Sequence, residues 1–297
     1  KWMRVLFTCM FLNVELINRI PNDYEWKGGR ATMPGAYDRS RKAAVVRAIS
    51  PNFDNALAVY FGNSTPDPVA AQGAHDAYVA ALRAHGTEVT VLPGLTEFPD
   101  CCFVEDTAVM VDGKAIIPNM GHHSREGEQV AVAEHMASTA EVLRMPKGAT
   151  LDGGDVVFFD DKYLVGVSTR TNQEGANFLA KHVKEEDYDI EYIKIPSSTL
   201  HLTTVCSSPR PGMLIAAEGH LTSSQLEPLV EDLIWVPNSE SYAANTIGYK
   251  GDRVIVAGGF SVTRQTLLDE GFQITSVDMN PIMQADGSLT CLSVFTQ

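Results

Sequence analysis

A unit of strand, tight turn and strand recurs along the chain and constrains its fold more than any other feature. Residues 107–111 and 114–117 read as strands around Asp112-Gly113, a dipeptide suited to a two-residue hairpin. Residues 156–159 and 162–167 repeat the pattern around Asp160-Asp161. It returns at 203–207 and 213–217 with Pro211-Gly212 in a longer turn, and at 245–249 and 253–257 around Lys250-Gly251-Asp252. Helices are expected after most pairs, over 126–143, 172–184, 223–233 and 261–270. The spacing is roughly 40–50 residues, a period of propellers and stacked repeats. Chance can make two such units from turn-rich sequence, but four in register require a repeat. The expectation is an α/β fold of hairpin-plus-helix units in one closed domain, beginning near 42–49.

What opens each unit matters more than the unit itself. The openings are Glu105-Asp106, Asp152-Gly153-Gly154-Asp155, His201, Asn245 and Cys291. A common register sends one end of each unit toward a shared centre, so these distant residues are expected in one pocket. Acids at a strand end are ordinarily solvated, and Asp-Gly-Gly-Asp is ordinarily a tight turn. Their shared position in the repeat gives them a second meaning. A planar cation needs carboxylates along its N–H edges, so converging acids point to a guanidinium guest.

Cys291 lies in 288–295, read as a short strand. A lone buried cysteine is usually a small apolar side chain, whereas a thiolate nucleophile needs a proton-transfer partner, commonly histidine. His201 is the histidine in the right register. His75, His85, His135, His182 and His220 fall in helical or loop stretches and read as surface. His122-His123 has no third ligand at metal spacing, so no metal site is expected there. Arg125 and Arg170 follow the second strands of their units, and arginine grips a carboxylate through two parallel bonds. A guanidinium amino acid would use acids at one end and arginines at the other.

The 297 residues carry a net charge of −14, which disfavours a nucleic-acid partner. Five cysteines without framework spacing, including the adjacent Cys101-Cys102, fit a reducing, cytoplasmic setting. Residues 2–17 are apolar in places but interrupted by Arg4, Asn13 and Glu15, too broken for a membrane helix and without a secretory cleavage site. Residues 1–32 are read as an N-terminal extension or expression remnant, with Met33 as a natural start and 33–297 as the single catalytic domain.

Several of these segments form motifs. Phe98-Pro99-Asp100-x-x-Phe103-Val104-Glu105-Asp106-Thr107-Ala108, Leu151-Asp152-Gly153-Gly154-Asp155-Val156, the run from Val165 through Arg170 to Gln173, His201-Leu202, and Asp286-Gly287-x-Leu289-Thr290-Cys291 resemble the dimethylarginine dimethylaminohydrolase family, in its order and with comparable gaps. The resemblance covers roughly residues 42–297. It implies a five-bladed α/β propeller, the pentein fold of ββαβ-type units around a central site, found in the guanidino-group-modifying amidinotransferase superfamily. It implies hydrolysis of Nω-methylated arginine to citrulline and a methylamine, and with it a place in nitric oxide regulation. Carried over residue by residue, Cys291 is the nucleophile, His201 the general acid/base and Asp152 the acid supporting histidine and guanidinium. Glu105 and Asp106 line the substrate pocket, Asp100 meets the α-amine, and Arg125 and Arg170 take the carboxylate. Leu57 and Ala285 match backbone contacts to substrate. No metal or organic cofactor is implied, and zinc on Cys291 would inhibit. A monomer or homodimer acting on a small guanidino amino acid is expected, without nucleic acid or membrane.

Two alternatives stand beside this reading. Arginine deiminase, or another amidino-group hydrolase or transferase, shares fold and nucleophile. The deiminases carry an acid two residues after the histidine, where this chain has Thr203, which leaves room for methyl groups. A catalytically inert propeller would have no reason to keep Cys291, His201 and the acids together.

Overall fold

In the computed structural model, the residues described are 39–230 and 232–296. The extension expected over 1–32 lies outside them. Five three-stranded sheets form five blades of an α/β propeller. Blade one takes β1 (Ala43–Arg47) and β2 (Glu88–Leu92); blade two β3 (Val109–Val111), β4 (Lys114–Ile117) and β5 (Glu141–Arg144); blade three β6 (Val156–Phe159), β7 (Lys162–Val167) and β8 (Asp189–Lys194). Blade four takes β9 (Cys206–Arg210), β10 (Met213–Ala217) and β11 (Asp232–Val236), and blade five β12 (Thr246–Tyr249), β13 (Arg253–Ala257) and β14 (Gln273–Val277). The last strand, β15 (Val294–Phe295), returns to blade one and pairs antiparallel with β1, Ala44 opposite Phe295.

Each blade has one logic. The first strand pairs antiparallel with the middle strand, which pairs parallel with the third. A parallel return needs a crossover, and a helix supplies it. These helices are Pro68–Ala84, Gln129–Met136, Gln173–Glu185, Ser223–Leu226 and Ser261–Asp269. Their starts are written locally. Asp67 accepts from the N–H groups of Val69 and Ala70 ahead of Pro68, and Asn172 from Gly175. Thr222 and Gln225 form a capping box. In blade two the hairpin turn uses Asp112 at φ 41° and Gly113 at φ 80°, the left-handed pair a two-residue hairpin demands.

The middle strands are buried along almost their whole length, as in Met213–Ala217, so they supply the apolar face on which the crossover helices pack. Helix Pro68–Ala84 buries Ala71, Tyr78 and Leu82 against Phe53, Ile255 and Met279. Full burial of a large apolar side chain such as Leu82 contributes about 1.5–3 kcal/mol.

The structure corrects several expected boundaries. The stretch 126–143 is a helix only to Met136, and its end is strand β5. The stretch 223–233 likewise divides into a one-turn helix and β11. The strand expected at 203–207 begins at Cys206, because Leu202–Val205 is a helical turn. The strand expected over 288–295 is a turn at Thr290–Leu292 followed by β15. His75, read as surface, is 1% exposed on the inner face of its helix, and burial holds its pKa below the ordinary value.

Candidate active site

Each blade's first strand is preceded by a short helical turn, and these turns carry the residues picked out by register. They are Val104–Thr107 with Glu105 and Asp106, Gly153–Asp155 after Asp152, Leu202–Val205 after His201, Asn238–Ala244 before Asn245, and Thr290–Leu292 with Cys291. A single turn places a side chain at the inner end of a blade with its backbone groups still satisfied, which an open strand end would not do.

His201 is 2% exposed, and its two nitrogens have different surroundings. Nε2 lies 3.1 Å from Asp152 Oδ2, a hydrogen-bonding distance. Nδ1 has no hydrogen-bond partner and stands 3.8 Å from Asp106 Oδ1. Burial opposes the imidazolium, but Asp106 and the Asp152 bond outweigh it and raise the His201 pKa to about 9. Burial also disfavours the Asp152 carboxylate, yet its His201 partner holds its pKa below the ordinary value. Asp152 Oδ1 accepts from Gly121 N–H at 2.7 Å, and Oδ2 lies 3.5 Å from Arg170 Nη1. Asp155 fixes the histidine from behind. It accepts from Leu202 N–H at 3.1 Å and from the Ser168 and Thr171 hydroxyls at 2.6 Å each, and burial raises its pKa to about 6. Gly154 must be glycine, since an added Cβ would stand 2.7 Å from His201 Nδ1.

Cys291 is 4% exposed, with Sγ 3.2 Å from Ser288 Oγ. Burial, with the charges of Glu105 and Asp106 nearby, pushes its thiol pKa well up. The pocket thus favours the protonated form of both the thiol and the imidazole. Asn245 secures this turn to blade four: its Nδ2 donates to Thr203 O at 2.7 Å and to Thr290 Oγ1 at 2.9 Å, and its Oδ1 accepts from Thr290 N–H at 3.1 Å.

Cys291, His201, Asp106, Asp100, Arg125, Arg170, Leu57 and Ala285 line one cavity, together with Val59, Tyr60, Phe103, Leu200, Asp286 and Gly287. The space they enclose is about 30 Å³, room for a water molecule and far short of an amino acid. Two residues named from the sequence lie behind this wall. Asp152 supports His201, and Glu105 accepts from Thr290 Oγ1 at 2.9 Å and Thr203 Oγ1 at 3.2 Å. Burial and the neighbouring Asp106 raise the Glu105 pKa to about 8. Asp106, Asp152 and His201 also form a cluster of metal-ligand type, with ligand atoms within 4.8 Å of one another.

The two arginines differ. Arg125 is 3% exposed and its guanidinium is engaged on every side: Nη1 to Asp106 at 2.5 Å, Nη2 to Glu128 at 2.7 Å and Phe103 O at 3.0 Å, and Nε to Glu128 at 3.0 Å. Arg170 touches Asp152 at 3.5 Å and keeps its side chain 12% exposed at the pocket wall. Glu128, buried and essential to the Arg125 arrangement, escaped the sequence reading. Its signal is the acid three residues after Arg125, one helical turn on. Asp286 escaped too: it stands in a quoted motif, but nothing there shows what it binds.

The family described as "N,N dimethylarginine dimethylhydrolase, eukaryotic" matches residues 67–294. The N(G),N(G)-dimethylarginine dimethylaminohydrolase of Streptomyces coelicolor is 32% identical over 85% of this chain and 96% of its own. The Pseudomonas aeruginosa enzyme of that name is 30% identical over 77% and 89%. A solved structure of the latter, a cysteine-to-serine mutant complexed with citrulline, aligns at TM-score 0.79 and 29% identity, covering 85% of this chain and 98% of that one. An amidinotransferase from Microseira wollei, 17% identical, shares the fold at TM-score 0.75 over 90% and 96%. With its blades, central turns and motifs matched over most of its length, this chain belongs to the dimethylarginine dimethylaminohydrolase family.

Proposed function

We propose that this chain hydrolyses Nω-methylated L-arginine, asymmetric dimethylarginine and monomethylarginine, to L-citrulline and dimethylamine or methylamine. The observation that carries the reading is a buried His201, its Nε2 tied to Asp152 and its Nδ1 unpartnered, on the same wall as Cys291 and Asp106. The guanidinium takes Asp106, whose carboxylate orients it and keeps it cationic. Its arrival adds positive charge beside Cys291 and favours release of the thiol proton to solvent water, since His201 already carries its own. Sγ then bonds to the guanidinium carbon. As the bond to the methylated nitrogen breaks, His201 gives its proton to the departing amine and leaves a cysteine-bound thiouronium. His201, now neutral, takes a proton from water as the oxygen bonds to the same carbon. The C–S bond breaks as the hydroxyl proton passes to the departing sulfur, returning Cys291 as the thiol and leaving the ureido group of citrulline.

Other contacts follow the geometry. Asp100 receives the α-amine, and Arg170 is the freer of the two arginines to take the carboxylate, with Arg125 bracing Asp106. Leu57 and Ala285 offer backbone contacts at the rim. Chemistry of this kind needs no metal or organic cofactor. Zinc captured by the Cys291 thiolate would block it. A reducing cytoplasmic compartment suits the free thiol, and the substrate links the enzyme to nitric oxide regulation.

The test is citrulline formation from asymmetric dimethylarginine and from arginine, side by side, with Cys291→Ser as blank. Turnover of the methylated substrate alone is expected, with the variant at least about 10⁴-fold slower. Turnover of arginine alone would make the chain a deiminase, and activity in the variant would remove Cys291 as nucleophile.

A further inference from the structure

The backbone around Cys291 is anchored on both sides of the residue. Tyr242 Oη donates to Gly287 O at 2.7 Å, Asn245 ties Thr290, and Tyr78 Oη meets Ser293 Oγ at 2.7 Å. At Gly287 the chain lies so close to Phe103 that an added Cβ would collide with the ring. Within this frame Ser288 stands three residues before Cys291, the spacing that brings side chains to one side of a 3₁₀ turn. Ser288 is 1% exposed, and its hydroxyl lies 3.2 Å from Cys291 Sγ. A buried thiol does not need such a partner to be stable: on the fully buried Cys206, burial alone acts. A serine hydroxyl in a turn commonly bonds back to its own backbone, yet here it faces the sulfur. Burial and the charges of Glu105 and Asp106 push the Cys291 thiol up, while the hydroxyl and backbone N–H of Ser288 act the other way.

We propose that Ser288 is a further catalytic residue, whose hydroxyl donates to Cys291 Sγ, fixes the sulfur in the pocket and favours its thiolate. A thiol is a weak acceptor, whereas a hydrogen bond to an ionised acceptor is roughly twice as strong as a neutral one. The Ser288 bond therefore strengthens as the proton leaves Sγ and weakens once Sγ is bonded to the guanidinium carbon. It strengthens again as charge builds on the departing sulfur. Such a bond acts on the steps of the reaction rather than on the resting fold. The inference rests on the reading of Cys291 as the nucleophile.

The experiment compares the parent with Ser288→Ala and Ser288→Thr. Iodoacetamide alkylation of Cys291 is followed without substrate between about pH 6 and 9, beside urea unfolding, and kcat/KM is then measured for asymmetric dimethylarginine. Loss of one charge-assisted bond raises the thiol by about one unit, leaving about tenfold fewer thiolates, each about threefold more nucleophilic. Ser288→Ala is therefore alkylated about threefold more slowly across this range, and kcat/KM falls by at least the same factor. Its urea midpoint stays with the parent, because Tyr242, Asn245 and Tyr78 still hold the turn. Ser288→Thr keeps the hydroxyl and recovers most of the alkylation rate. Alkylation of Ser288→Ala as fast as the parent overturns the proposal. So does equal slowness in Ser288→Thr, or a slower rate accompanied by a lowered urea midpoint, which would make Ser288 structural. Alkylation is read without turnover, so failure of the hydroxyl's role is separable from failure of the substrate reading.

Discussion

The two sides of the pocket are held by different forces. On the His201 side, charge meets charge between buried side chains, Asp152 on His201 and Arg125 between Asp106 and Glu128. Asp106, Asp152 and His201 come from the turns that open neighbouring blades, and Arg125 and Glu128 from the crossover of blade two. On the opposite side, side-chain acceptors and the packing of Phe61 on Tyr242 hold a segment, 57–64, that belongs to no blade. The repeat builds an electrostatic platform, and the segment that interrupts it supplies Leu57, Val59 and Tyr60 to the pocket wall. Buried ion pairs are costly to assemble and costlier to break singly, which suits a surface that must not move.

The contrast can be broken from either side. His201→Ala removes the proton carrier of the rigid side and should slow turnover about 10²–10⁴-fold, read as kcat for the methylated substrate; a near-normal rate would move the acid/base role elsewhere. Glu128→Gln leaves the Arg125 charge poorly paired in the interior, and about 3–5 kcal/mol of stability should be lost, measured by urea unfolding. A loss well below that would mean the Arg125 network is not the frame of this side. Arg170→Ala should raise KM about tenfold, the worth of one charge-assisted pair, with thermal stability unchanged. If stability falls instead, Arg170 belongs to the platform.

The smallest effect concerns pH. His201 titrates at about 9, above its ordinary value of 6.5. Its ion pairs therefore stabilise the fold fully below about pH 6.5, and that stability is lost as pH rises through about 9. The proposed leaving-group step needs the same proton, so kcat should fall on the alkaline side with it. Asp152→Asn removes one of the supporting charges and should move that limb down by about one unit. An unmoved limb would mean that Asp106 alone sets the His201 proton affinity.

Much of this was legible in the sequence because the repeat is local. Hairpins and crossover helices advertise themselves in windows of ten to twenty residues, and their register gathered Asp106, His201 and Cys291 at one centre. The helical turns that open the first strands were not legible. Four residues such as Leu202–Val205 are too few to display a helical period, so they read as strand. Strands β5 and β11 vanished into predicted helices for the same reason, being short apolar runs close behind a helix. Glu105 was placed in the pocket by its register and by the resemblance; adjacent residues in a turn diverge, and its carboxylate accepts from Thr203 and Thr290. The bonds of Asp286 and Gln284 join backbone to side chain across more than two hundred residues. No local pattern encodes them.

The pairing of β15 with β1 carries a consequence for biosynthesis. Blade one is sewn from both ends of the described chain, and Cys291 sits one turn before the closing stitch. Blades two to five can form in order as the polypeptide leaves the ribosome, each from contiguous residues. The first cannot be completed until the last is made, and a contact between such distant residues is the slowest kind to form. The acids and His201 belong to blades made of contiguous residues, whereas Cys291 takes its place only with the turn before β15.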